Sequence, residues 1–88
     1  MKEYKIEIAF VENGIPQTFI FNKACSTLDE LKEAFLKRFG NIKDAPNSVL
    51  RDKSKVKDLT REATTIEEWM QSVNLKTRWT LNIKTLGY

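Results

Sequence analysis

The sequence predicts an α+β domain in which amphipathic strands near the two chain ends share a sheet and a capped helix covers it. Alternating apolar residues from Tyr4 to Phe21, broken at Asn13-Gly14, indicate a β-hairpin. Apolar residues at helical spacing between Leu28 and Phe39 indicate the helix. A second alternation over Trp79–Ile83 indicates the last strand. Because these strands each present one apolar face, they must bury it against the helix.

Length and composition set the class of protein. The 88 residues are enough for one domain, residues 1–88, and a 41% hydrophobic content is typical of a packed core rather than of disorder. No apolar run approaches the ~20 residues that a membrane-spanning helix needs. The charged start Met1–Lys5 lacks the apolar segment of a signal peptide. The single cysteine, Cys25, fits a reducing compartment. We therefore expect a cytoplasmic, monomeric protein that makes no membrane contact.

The residue types argue against catalysis. The chain has no histidine and one cysteine, which removes the usual general base and the ordinary zinc ligand sets. Cys25 precedes a helix N-terminus, where a thiolate is favoured, but burial as a small apolar side chain is the preferred interpretation. We expect no enzyme activity, no metal and no cofactor. The net charge of +3 arises wholly from residues 45–88, because residues 1–44 hold seven basic and seven acidic side chains.

The hairpin has two distinguishable faces. Asn13-Gly14 suits a type I′ turn, in which both central residues have positive φ. Pro16 marks an edge strand, because proline donates no ladder hydrogen bond. Phe19 and Phe21 share one face of the second strand, and Ile20 is predicted to lie on the other.

The helix carries start signals. Thr27 and Glu30 form a predicted capping box, which satisfies exposed N–H groups of the first turn. The apolar stripe contains Leu31 and Phe35, which we expect to pack against the first and last strands. Lys32 falls outside this stripe and is predicted to face solvent.

The segment after this helix is less regular. Ser48–Arg51 is predicted as a short third strand, and Arg51–Arg61 as an irregular basic stretch with a possible minor fourth strand near Val56. Thr64 or Thr65 then caps a short second helix, Ile66–Val73. The expected sheet therefore has four to five strands.

The order of these elements resembles the ubiquitin-like β-grasp superfamily. Thr65-Ile66-Glu67-Glu68-Trp69 and Trp79-Thr80-Leu81-Asn82-Ile83 stand where those proteins have a threonine-capped short helix and a central strand. The resemblance implies a mixed sheet with the last strand parallel to the first. The chain ends Leu86-Gly87-Tyr88 rather than Gly-Gly, which argues against a covalent modifier. The segment from Ala24 to Phe39 is also similar to Ras-binding-type domains, which implies a small GTPase as a possible partner of four basic side chains: Lys23, Lys32, Lys37 and Arg38.

Two functional hypotheses follow from these patterns. The first is a non-catalytic protein–protein interaction module that binds through its open sheet face. Ile20 is the predicted apolar contact, and Lys5 and Lys84 are predicted to set the register of the partner on the sheet. The second is a nucleic-acid-associated protein that contacts phosphates through the basic residues of the irregular stretch: Arg51, Lys53, Lys55, Lys57 and Arg61. Asp52, Asp58 and Glu62 interleave with these cations, so a solvated segment is the simpler interpretation of the second pattern.

Overall fold

The computed structural model describes residues 1–40 and 51–86, which form an α+β domain. The helices and strands follow the chain in the order β1 (Lys2–Glu12), β2 (Ile15–Cys25), α1 (Leu28–Gly40), α2 (Lys53–Glu62), α3 (Ile66–Lys76) and β3 (Thr80–Leu86). The hairpin, α1, α3 and β3 fall where the sequence predicts them. The predicted strand Ser48–Arg51 lies outside the described residues except for Arg51, which is in a turn.

The described sheet has three strands in the order β2-β1-β3. The hairpin turns at Asn13 and Gly14, whose φ values are 52° and 78°, as a type I′ turn requires. Its register runs without interruption from Glu12↔Ile15 to Lys2↔Cys25. The last strand lies beside the first, as predicted.

The predicted direction of the last strand is wrong. β3 runs antiparallel to β1, with Ile6 opposite Ile83 and Ile8 opposite Leu81, so the described sheet is antiparallel throughout rather than mixed. Because β2 and β3 then point the same way, the chain between them must return along the length of the sheet before β3 begins. This pairing departs from the parallel arrangement that the ubiquitin-like resemblance implies.

One face of the sheet, here called the inner face, is packed against the helices. Leu31 and Phe35, which the sequence predicts to pack against the first and last strands, are buried in one core cluster with four strand residues: Ile6, Ile8, Leu81 and Ile83. The ring of Phe35 meets Trp69 edge-on, with centroids 5.1 Å apart, and Phe39 stacks on Trp79 at 5.5 Å. Aromatic side chains from α1, from α3 and from Trp79, the residue before β3, therefore join the helices to the sheet.

The basic segment contains a helix that the sequence does not predict. Residues of α2 were expected to be irregular or to form a minor strand near Val56, and both expectations are wrong. Its buried side is narrow and consists mainly of Val56 and Thr60. The Thr60 hydroxyl accepts a 2.9 Å hydrogen bond from the indole N–H of Trp69, which fixes α2 against α3. Because one of the buried positions is a polar threonine, the spacing of apolar residues alone does not indicate this helix.

The helix starts are capped locally. In α1, the Thr27 hydroxyl accepts from the Glu30 N–H at 3.2 Å, and the Glu30 carboxylate accepts from the Ser26 N–H at 2.9 Å. In α3, the Thr65 hydroxyl accepts from the Glu68 N–H at 3.0 Å. Both caps agree with the sequence prediction, and they set where each helix enters the core.

Candidate functional site

The face of the sheet opposite the helices, here called the outer face, carries every predicted contact residue of the first hypothesis. Strand alternation and register place fourteen side chains on it: Glu3, Lys5, Glu7, Ala9, Val11, Pro16, Thr18, Ile20, Asn22, Ala24, Thr80, Asn82, Lys84 and Leu86. None of these residues belongs to the buried core. Antiparallel sheets commonly leave one face in water, so solvation alone is an adequate account of its polar members.

The predicted trio lies together across the three strands. Lys5 of β1 is directly opposite Lys84 of β3, and Glu7 in the next row is opposite Ile20 of β2. The Ile20 side chain is 53% exposed. A cationic pair therefore lies one row from an exposed apolar side chain on the same face.

A second apolar position on this face was missed by the sequence reasoning. Val11 is 61% exposed, and Pro16 of β2 lies directly opposite it. The row between this pair and the Glu7–Ile20 row contains the small side chains of Ala9, Thr18 and Thr80. Val11 has the same parity as Lys5 in β1, so continued alternation could have identified it. The apolar part of the outer face therefore extends from Ile20 toward the hairpin turn.

The predicted basic stretch separates into two groups once it is helical. Lys53, Lys57 and Arg61 are spaced by four residues, so they lie along one stripe of α2. With Lys37 and Glu33 of α1 they line a groove of about 400 Å³, floored by Leu36 and Phe39. Four cations and one carboxylate give this groove a positive balance.

The other two predicted basic residues lie elsewhere. The Lys55 ammonium donates to the Lys76 carbonyl at 3.1 Å and lies 3.8 Å from the Asp52 carboxylate, so it connects the start of α2 to the end of α3. Arg51 lines a separate depression beside Trp79 and Arg78. The five predicted residues therefore do not form one patch.

The four candidate contacts for a small GTPase are also divided. Lys32 is buried, which contradicts its predicted exposure, and its ammonium donates to the carbonyls of Ala63 and Arg61 at the end of α2. Such a cation complements the negative end of a helix dipole. Lys23, Lys37 and Arg38 remain together in a groove beside β2, where the Arg38 guanidinium lies 5.8 Å from the ring centre of Phe21. Lys32 therefore has a structural role.

Cys25 ends β2 and is buried. Burial, followed by the nearby Glu30 carboxylate, raises the pKa of its thiol, and Lys23 opposes this shift. At neutral pH the side chain is therefore a neutral thiol and a weak nucleophile. Within residues 1–40 and 51–86, no group of three or more His, Cys, Asp or Glu side chains could hold a metal ion.

Comparison of the chain with protein-family models, with curated proteins and with solved structures finds no match. Among the described residues, no helix is long and apolar enough to cross a membrane.

Proposed function

We propose that this protein is a non-catalytic interaction module whose partner is another protein, docked on the outer face of the sheet around Ile20. The observation that carries the proposal is the exposure of Ile20 and Val11 on a face that no described helix covers. Burial of these side chains would stabilise the complex by about 25 cal/mol for each Å² of apolar surface removed from water. Their separation along the sheet suits an extended partner segment with two apolar side chains.

The two lysines on the outer face indicate which charge the partner segment carries. Lys5 and Lys84 face each other across β1 and β3, and like charges at directly opposite positions repel. A partner carboxylate above them would relieve this repulsion. Complementary charge of this kind contributes mainly to orientation and association rate. The expected partner segment therefore carries apolar side chains beside an acidic one.

The ubiquitin-like resemblance contributes only the order of elements to this proposal. A β-grasp assignment would need the first and last strands to be parallel, and here they are antiparallel. A small GTPase, the partner that the similarity to Ras-binding-type domains implies, would engage Lys23, Lys37 and Arg38 beside β2 rather than the outer face.

The experiment is affinity capture from the source cells on immobilised protein, followed by binding measurements with the purified partner. Ile20→Asp should lower its affinity at least about tenfold, because a charge replaces the central apolar contact. Leu75→Asp is the matched control, since Leu75 is 77% exposed but lies on α3. Equal loss in both variants, or no loss in Ile20→Asp, would reject the outer face as the docking site. Circular dichroism melting should show both variants folded.

A second candidate function has its own observation, the basic groove between α1 and α2. Its cations could contact the phosphates of nucleic acid. Three neutral changes, Lys53→Gln, Lys57→Gln and Arg61→Gln, should then abolish binding of single-stranded and duplex oligonucleotides, and the affinity of the unchanged protein should fall steeply with salt. Binding that is absent at low salt, or that survives the triple change, would exclude this groove.

A further inference from the structure

The two edges of the sheet are treated differently by the rest of the chain. On β3, the side-chain amide of Asn74 donates to the Leu81 carbonyl at 3.2 Å and accepts from the Leu81 N–H at 2.6 Å. The Ile83 N–H donates to the Met70 sulfur at 3.1 Å. Side chains of α3 therefore occupy three outward hydrogen-bonding groups of β3, at Leu81 and Ile83, which protects this part of the edge from further pairing.

The edge at β2 has no such cover in the described part of the chain. A two-residue turn makes Glu12 and Ile15 a hydrogen-bonded pair, so alternate residues from Ile15 onward bond to β1. Apart from Pro16, which has no N–H, four remaining residues direct both their backbone N–H and C=O away from the sheet: Thr18, Ile20, Asn22 and Ala24. Within residues 1–40 and 51–86 no group pairs with them.

The outward edge carries only two of the usual protective devices, Pro16 and Lys23, one near each end of β2. The pairing register of β2 contains no bulge, and its one proline, Pro16, lies next to the turn. The four outward-directed residues carry no charge, whereas natural edges are commonly blunted by lysine, proline or a bulge. An eleven-residue strand with an uninterrupted, neutral edge is a template for another strand.

We propose that a second copy of this chain pairs with this edge, β2 against β2 and antiparallel, about a two-fold axis at Ile20. The two sheets would then join into one sheet of six strands. In this register Ile20 meets Ile20 of the second copy, Thr18 meets Asn22, and Phe19 meets Phe21. Both copies contribute the same patch, as a two-fold interface requires.

The side chains of β2 are self-complementary in this register. Aromatic pairs such as Phe19 with Phe21 are favourable across antiparallel strands. Lys23, the only charged residue of β2, lies opposite Gln17, so no like charges face each other. An axis displaced to Lys23 would bring the two lysines together, which disfavours that register. This assembly uses the backbone edge rather than the outer face, and therefore goes beyond the proposed function.

The test uses Gln17, whose side chain is on the inner side of β2 and outside the proposed docking face. Sedimentation equilibrium over a wide concentration range should show a reversible dimer. Gln17→Glu should tighten dimerisation about two- to tenfold by pairing with Lys23 of the second copy, and Gln17→Lys should weaken it by a similar factor. Gln71 is an exposed glutamine on α3, and the same two changes there should alter nothing.

Amide hydrogen exchange gives an independent reading of the register. Protection of the Thr18, Ile20 and Asn22 amides should rise with protein concentration, while Phe19 and Phe21, already bonded to β1, should stay protected throughout. A monomer at every concentration, or Gln17 variants that shift the equilibrium in the same direction, would overturn the proposal. Concentration-independent protection of the outward amides would do so as well.

Discussion

The inner and outer faces of the sheet are built from the same three strands, yet the apolar side chains on the two faces differ in burial. On the inner face, Ile6, Ile8 and Leu81 are at most 1% exposed and belong to one core cluster with the helices. On the outer face, Ile20 and Val11 are more than half exposed. Residues of one apolar type therefore stabilise the fold on one side and remain available for binding on the other. Substitutions should separate these two roles.

The largest expected loss of stability comes from a substitution in the core on the inner face. Phe35→Ala should lower the free energy of unfolding by ~3–5 kcal/mol, since the ring is fully buried against Phe39 and Trp69 and its removal leaves a cavity. Ile20→Ala on the outer face is the control, with an expected change within ~0.5 kcal/mol. Urea denaturation followed by tryptophan fluorescence measures both. Comparable losses in the two variants would mean that the faces do not differ as described.

An intermediate loss of stability is expected from a substitution where α2 meets α3, beneath the inner face. Thr60→Val keeps the shape of the side chain but removes the acceptor for the Trp69 indole N–H. A buried donor left without a partner costs ~1–3 kcal/mol. Thr60→Ser restores an acceptor and should recover part of the lost stability. If Thr60→Val matched the unchanged protein in urea denaturation, this hydrogen bond would contribute nothing to the packing of α2.

The smallest expected effect is the contribution of Cys25, at the end of β2, to the pH dependence of stability. Because the pKa of this thiol is raised in the folded protein, the unfolded chain loses its proton first as the pH rises. The thiol therefore contributes stability at neutral pH, and this contribution is lost above about pH 8.5. Cys25→Ala should show a flatter decline in stability than the unchanged protein between pH 8 and about pH 10. Parallel declines would contradict the assigned shift.

The sequence predicts the elements that have a strong local signal. Asn13-Gly14 fixes the hairpin, and the caps at Thr27 and Thr65 fix the starts of α1 and α3. The position of Ile20 on the outer face follows from the parity of β2 once Phe19 and Phe21 are assigned to the core. These features depend on neighbouring residues alone, so no knowledge of the tertiary structure is needed to infer them.

Three features that were wrongly predicted depend on contacts between distant parts of the chain. Helix α2 buries Thr60 against Trp69, so its polar sequence looks irregular until α3 is in place. The direction of β3 depends on which end of the sheet the chain reaches, and α2 forms part of that return path. Lys32 is buried because α2 ends at carbonyls near its ammonium. These three errors therefore share the unpredicted helix α2.

The position of β1 at the centre of the sheet has a consequence for synthesis on the ribosome. One neighbour of β1 is the adjacent hairpin strand, but the other, Thr80–Leu86, consists of residues that are translated only after α1, α2 and α3. Until they leave the exit tunnel, a nascent chain carries the hairpin with the far side of β1 unpaired. Strand edges exposed in this way attract aggregation and chaperones. Emergence of Thr80–Leu86 from the tunnel is therefore the step that completes the described sheet.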